Sequence, residues 1–169
     1  PPDAITGATP LMLAKNGTMT SLWDLFIGRT SGCVGETSIL AILIGGLFLV
    51  SMRIVSLRTI LGCILSFVVL GAILHWVAPA SVHPLSFNLL AGGFLFGVVF
   101  MATDPVTGPV TGMAKWFYGI IIGSVTILIR SFSGYVEGVM FAILLGNICA
   151  PLLDEIVIRI KIRRYAHES

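Results

Sequence analysis

Charge is scarce in this chain: Asp, Glu, Lys and Arg make up 11% of 169 residues, against roughly 25% in an ordinary soluble domain, while 56% are hydrophobic. That balance excludes a water-soluble globule. Also missing are the charge excess of a disordered chain, the glycine period of collagen and the heptads of a coiled coil. Ten basic and eight acidic residues leave a net charge of +2, too small and too scattered for nucleic-acid binding. Cysteine is almost absent. Cys33, Cys63 and Cys149 lie far apart within or beside apolar runs, which suits neither a zinc site nor a disulfide framework and leaves them as buried small hydrophobes. His75 and His83 lack a partner at metal-ligand spacing and read as structural. There is no initiator Met and no signal-peptide pattern before Pro1-Pro2, so a fragment or processed piece is expected.

What is present is a series of apolar runs, and crossing roughly 30 Å of hydrocarbon takes about 20 such residues in a helix. Five candidates follow a polar stretch over residues 1–35, giving an all-α, polytopic transmembrane bundle over 36–158 and a basic tail over 159–169. They run from about Thr37 to Met52, Thr59 to Ala78, Leu89 to Thr103, Trp116 to Ile129 and Val136 to Ile158. The third is short and ends on Asp104-Pro105, a pair that disfavours helix. Five crossings put the chain ends on opposite sides. Arg53, Arg58, Lys115, Arg159, Lys161, Arg163 and Arg164 fall on one side, against Lys15, Arg29 and Arg130 on the other. The excess places the tail in the cytoplasm and the N-terminal segment outside.

Glycines inside the runs, among them Gly45-Gly46, Gly92-Gly93, Gly119 and Gly123, allow either close helix packing or a broken helix beside a polar path. Acids there need a reason, because an intramembrane carboxylate costs a few kcal/mol unless it faces protein or water. Glu36, Asp104, Glu137 and Asp154 are therefore the ion-pathway candidates. Three of the four have a plainer reading: Glu36 and Glu137 as first-turn helix residues, Asp154 as an interfacial partner of Arg159. Asp104 is hardest to set aside. In ATDPVTGPVT it sits among Thr103, Thr107 and Thr111 and prolines that free backbone carbonyls, an oxygen-rich setting that suits a hard cation such as Na⁺. Arg130 closes the fourth run and can either snorkel outward or pair with an acid.

Three stretches taken together, DAITGATPL at Asp3–Leu11, GCVGETS at Gly32–Ser38 and FMATDPVTGPVT at Phe100–Thr111, with KWFYG, ILIR, GYVEG and NICAPLLDE downstream, carry a resemblance. They resemble the C-terminal half of the membrane flavoprotein subunit shared by two ion-pumping redox complexes. That family member is NqrB in the Na⁺-translocating NADH:quinone oxidoreductase (Nqr) and RnfD in the Rnf ferredoxin:NAD⁺ oxidoreductase. LWDLFIG and ATDPVTGPVT look more like Rnf and KWFYG and IKIRRYA more like Nqr, with the balance slightly toward Rnf.

The resemblance implies one repeat of a urea-transporter-like inverted-repeat fold, with about five further helices in the other repeat. It also implies a flavin transferase that joins FMN by a phosphoester to Thr9, within a motif formed by Asp3, Thr6, Gly7, Ala8 and Thr9. A second flavin, riboflavin, held non-covalently, is a further implication. On this reading the protein is part of a prokaryotic inner-membrane translocase. It takes electrons from flavin and iron–sulfur carriers on neighbouring subunits and couples their passage to Na⁺ or H⁺ movement. The competing reading is a passive channel or small-solute transporter of the same fold, which needs no flavin.

Overall fold

The computed structural model describes residues 9–15, 20–32, 37–77, 84–133, 135 and 137–168, and the described residues are helical wherever they are regular. Two short helices come first, α1 (Pro10–Lys15) and α2 (Leu22–Ile27), the latter opened by the Ser21 hydroxyl accepting from Trp23 N at 3.3 Å. The apolar run after Ser38 forms α3 (Ile39–Ser51), whose first turn is capped by that serine accepting from Ala41 N at 3.4 Å. Then come α4 (Leu57–Val77), α5 (Leu85–Leu90), α6 (Phe94–Phe96) continuing as a π-helix over Gly97–Met101, α7 (Gly112–Phe132) and α8 (Val139–Glu168).

Length decides which of these can cross a membrane alone. Helices α4 and α7 have 21 residues each, about 31 Å at 1.5 Å per residue. Three helices, α4, α7 and the Val139–Arg164 part of α8, are long and apolar enough. The chain is an integral membrane protein built as a helix bundle. The first and third expected runs differ from that pattern. Helix α3 stops after 13 residues, and the third run is broken into α5, a bend at Ala91–Gly93, and α6 with its π-helical continuation. Pro151 does not interrupt α8, which runs on through the basic tail.

Direction still alternates along the chain as five crossings require. Helices α4 and α7 lie side by side and parallel: Gly62 faces Gly119, Cys63 faces Gly123, and Gly71 faces Ile127. Helix α8 returns antiparallel to α7, with Asn147 beside Tyr118 and Gly138 beside Ile129. The broken element runs down with α8, Gly97 touching Val139 and Ile143.

One end therefore collects the end of α3, the starts of α4 and α7 and the end of α8, and with them Arg53, Arg58, Lys115, Arg159, Lys161, Arg163 and Arg164. The opposite end holds α2, which packs on α3 and α5. Close approach of α4 and α7 depends on the Gly119-x-x-x-Gly123 pair. A Cβ on Gly119 would lie 2.7 Å from Thr59 O, and one on Gly123 would collide with Cys63 O and Ser66 Oγ. Cys63 is fully buried and Cys149 half-buried, both as free thiols, while Cys33 and His83 lie outside the described residues.

Candidate functional site

Polar residues gather at both ends of the broken element, and the break itself shows why. Ending α5 at Leu90 leaves its last carbonyls without helical donors, and restarting at Gly93 leaves amides without acceptors. Arg130, near the end of α7 and only 6% exposed, donates from one guanidinium nitrogen to Asn88 O at 2.5 Å and Ala91 O at 3.3 Å. Its charge also lies 5.7 and 5.8 Å from the rings of Phe67 and Phe94, which stack on each other. Glu137 works on the other half: its Oε1 accepts from Gly93 N at 3.0 Å. A cation thus caps the negative end of α5 and an anion the positive start of α6.

Gly92 makes the bend. It adopts φ +71°, and a Cβ there would sit 2.5 Å from Glu137 Oε1 and 3.1 Å from Arg130 Nη2. Glu137 is consequently not a first-turn residue of the helix that follows it in sequence. Helix α8 begins at Val139, and the carboxylate serves a different element.

At the basic end, the loop from Asp104 to Thr111 joins the π-helix to α7, and two carboxylates organise it. Asp104 accepts from the Thr107 hydroxyl at 2.9 Å, Thr107 N at 3.2 Å and Val106 N at 3.3 Å. The Thr107 hydroxyl bond first, then the Val106 amide, hold its carboxyl below the usual carboxylate range. The sign follows: this stabilisation is present at neutral pH and is lost as acid protonates the group, below about pH 4.

Asp154 of α8 reaches the same loop, accepting from Val110 N at 2.8 Å, Thr111 N at 2.9 Å and the Thr111 hydroxyl at 2.7 Å. The expected pairing of Asp154 with Arg159 is not formed. Arg159 pairs one turn away with exposed Glu155 at 2.7 Å, because Asp154 turns inward to cap the start of α7. Nor do the three threonine hydroxyls converge on one empty point. Thr103 is buried and donates to Val99 O at 2.6 Å, Thr107 serves Asp104, and Thr111 serves Asp154.

Asp104 nevertheless stands between two cavities. One, of about 540 Å³, opens at the basic end and includes Thr103, Pro105 and Lys115 in its wall. The other, of about 360 Å³, lies against α8 and is lined by Met101, Asp104, Thr107, Met140, Ile143, Leu144 and Asn147. Asn147 escaped notice in the sequence. It is a polar residue inside an apolar run, its side-chain oxygen accepts from Tyr118 at 2.6 Å, and Pro151 four residues on lacks the N–H that would occupy its backbone carbonyl. Asp104, Thr107 and Asn147 are thus the polar residues in the otherwise apolar wall of the second cavity.

Of the flavin motif, Asp3, Thr6, Gly7 and Ala8 lie outside the described residues, as does Glu36. Thr9 is described. It precedes α1, its carbonyl accepts from Leu13 N at 3.0 Å, and its side chain is half-buried. Leu11 and Ala14 of α1 are buried in the common core, so the residue is anchored to the bundle.

These features define a membrane helix bundle with a broken helical element, charged caps at its break and a carboxylate beside two cavities at its end. The NQR2, RnfD, RnfE family model matches residues 1–163, and the chain belongs to that family.

Among its curated relatives is a Na(+)-translocating NADH-quinone reductase subunit from Azotobacter vinelandii, 42% identical over 174 aligned positions covering 96% of this chain. The proteins of the same name from Pseudoalteromonas atlantica and Stutzerimonas stutzeri are 42% and 40% identical over the same share. The chain spans 43% of the length of each of these relatives. All three carry the Nqr name, where LWDLFIG and ATDPVTGPVT had tipped the balance toward Rnf.

Proposed function

We propose that the chain is the flavin-bearing, ion-conducting part of a subunit of an Na⁺-translocating, Nqr-type redox complex in a prokaryotic inner membrane. FMN joined to Thr9 by a phosphoester would supply the one- and two-electron chemistry, and the protein positions that group and shapes the cation's route. The excess of cations at the end away from α2 supports a non-cytoplasmic face for the end that holds α2, and Thr9 would lie on that face. Redox partners would be neighbouring subunits, a transferase would install the flavin, and riboflavin would be a second, non-covalent carrier.

One observation carries the ion-conducting half of this reading: Asp104 stands between two cavities at the foot of a broken transmembrane element. Discontinuous helices in transporters place unpaired backbone groups and ionisable side chains along a substrate path. Asp104, Thr107 and Asn147 offer oxygen donors of the kind a hard cation takes. Asp154 and Glu137 hold the loop and the break in shape, and Asp154 adds negative charge at the same end. H⁺ is the alternative moved ion.

The test is Na⁺ uptake driven by electron transfer in proteoliposomes carrying the full complex. Asp104→Asn should lower Na⁺ moved per electron at least severalfold while flavin content stays constant. Wild-type coupling in that variant would remove Asp104 from the route.

A further inference from the structure

The larger cavity at the basic end has a wall that the cation route does not use. Arg53, Arg58 and Lys115 line it along with Asp104, so cations outnumber the carboxylate there. Asp104 is already engaged by Val106 and Thr107, and no salt bridge links it to these cations among the described residues. Two 21-residue helices, α4 and α7, begin at this cavity and turn their positive ends toward it. The Arg58 guanidinium lies over Gly112, the first residue of α7, in a space that a Cβ would fill.

Arg53 supplies a second observation. It terminates α3 with Arg53 N bonded to Val50 O at 3.0 Å and Ile54 N to Leu49 O at 3.1 Å, a helix ending that usually takes glycine. Here an arginine holds φ +56°. The turn leaves Arg53 in the same cavity wall as Arg58 and Lys115.

The surroundings say what kind of ligand fits. The cavity lies at the ends of membrane-length helices, and its wall includes exposed apolar side chains of Ile54, Leu57 and Val110. We propose that this cavity binds a phosphate group, that of an anionic phospholipid. The phosphodiester sits against Arg53 and Arg58, and the acyl chains pass along Ile54 and Leu57. Basic pockets between transmembrane helices take such headgroups. Free inorganic phosphate shares the anionic chemistry but leaves the apolar wall uncovered.

Native mass spectrometry of the full-length protein, delipidated and titrated with phosphatidylglycerol or phosphatidylcholine, tests this independently of flavin and of ion transport. Wild type should retain phosphatidylglycerol in preference to phosphatidylcholine. Arg53→Gln with Arg58→Gln should weaken retention on the order of tenfold or more, and Arg58→Lys should keep most of it. Arg53→Gly separates binding from folding, because it relieves the backbone: thermal stability should hold or rise while lipid retention falls.

If millimolar inorganic phosphate displaces the lipid in an arginine-dependent manner, the phosphate site stands and free phosphate is a competing source. Equal retention of the two lipids by wild type, or unchanged phosphatidylglycerol retention in the double variant, overturns the proposal.

Discussion

Arg130 and Glu137 show how much a single side chain can decide inside a membrane. Each answers backbone groups that the break in the third element exposes, in a medium that offers no water to take their place. Arg130→Ala should therefore destabilise the protein by about 2–4 kcal/mol, the cost of stranding buried carbonyls and losing charge-assisted hydrogen bonds. Arg130→Lys should lose less, and thermal unfolding in detergent would rank the pair. Gly92→Ala should be as damaging in its own way, since φ +71° disfavours any Cβ and the new methyl meets Glu137. Glu137→Gln should be tolerated, because an amide oxygen still accepts from Gly93 N, whereas Glu137→Ala should not be.

The same residues measure what could be read in advance. Glu137 and Asp154 were recognised as costly acids in apolar runs, but their partners come from segments more than forty residues away, Gly93 and the Val110–Thr111 amides. No local pattern reveals such pairing. Arg53's left-handed backbone was equally hidden, because glycine is the residue that usually announces that conformation.

At the scale of elements, packing is governed by where the glycines fall. Gly119 and Gly123 let α4 and α7 touch along their backbones, and Ser66 adds hydrogen bonds to Cys63 O at 3.1 Å and Gly119 O at 3.4 Å across that contact. Gly123→Val should force the two helices apart. The expected result is a thermal midpoint several degrees lower and a smaller yield of folded protein from the membrane, whereas Ile120→Val, on the exposed side of the same helix, should change little.

Apolar length made the second, fourth and fifth runs legible, because each is long enough to cross hydrocarbon as one helix; the acids of the fifth, Glu137, Asp154 and Glu155, lie near its two ends rather than in its middle. The glycines of the third run left close packing and a broken helix both open. The run ends before Asp104-Pro105 as expected, and it is also broken at Ala91–Gly93, where Arg130 and Glu137 stabilise the bend. Helix α8 continues beyond the expected end at Ile158, its exposed Arg159 and Glu155 paired at i,i+4 spacing, a contact worth a few tenths of a kcal/mol.

For the whole molecule, the broken element divides the polar features into two groups. Arg130, Glu137 and the bend lie toward the end that holds α2, while Asp104, Asp154 and both cavities lie toward the basic end. Phe94–Met101 runs between them. Outward faces of α3, α4, α7 and α8 remain rich in exposed apolar side chains, such as Leu47, Leu65, Phe117 and Leu144, the surface that lipid and the remainder of a longer protein would cover.

On the proposed reading Asp104 lines the cation's route, and its lowered carboxyl range yields a pH prediction. Na⁺ affinity in the full complex should stay flat between about pH 6 and pH 8, since the Thr107 hydroxyl and the Val106 amide hold this carboxyl below the ordinary carboxylate range. A break in affinity near neutral pH that Asp104→Asn removes would contradict that assignment.

The flavin is the claim on which the redox reading rests, and mass spectrometry of one peptide reaches it directly. The full-length protein, produced in a host that also makes the flavin transferase, should yield a peptide containing Thr9 heavier by one FMN less one water. Fragmentation should place the added mass on Thr9, and Thr9→Ala should abolish it. An unmodified Thr9 peptide from a preparation in which the transferase demonstrably labels another substrate would contradict a flavoprotein role for this chain.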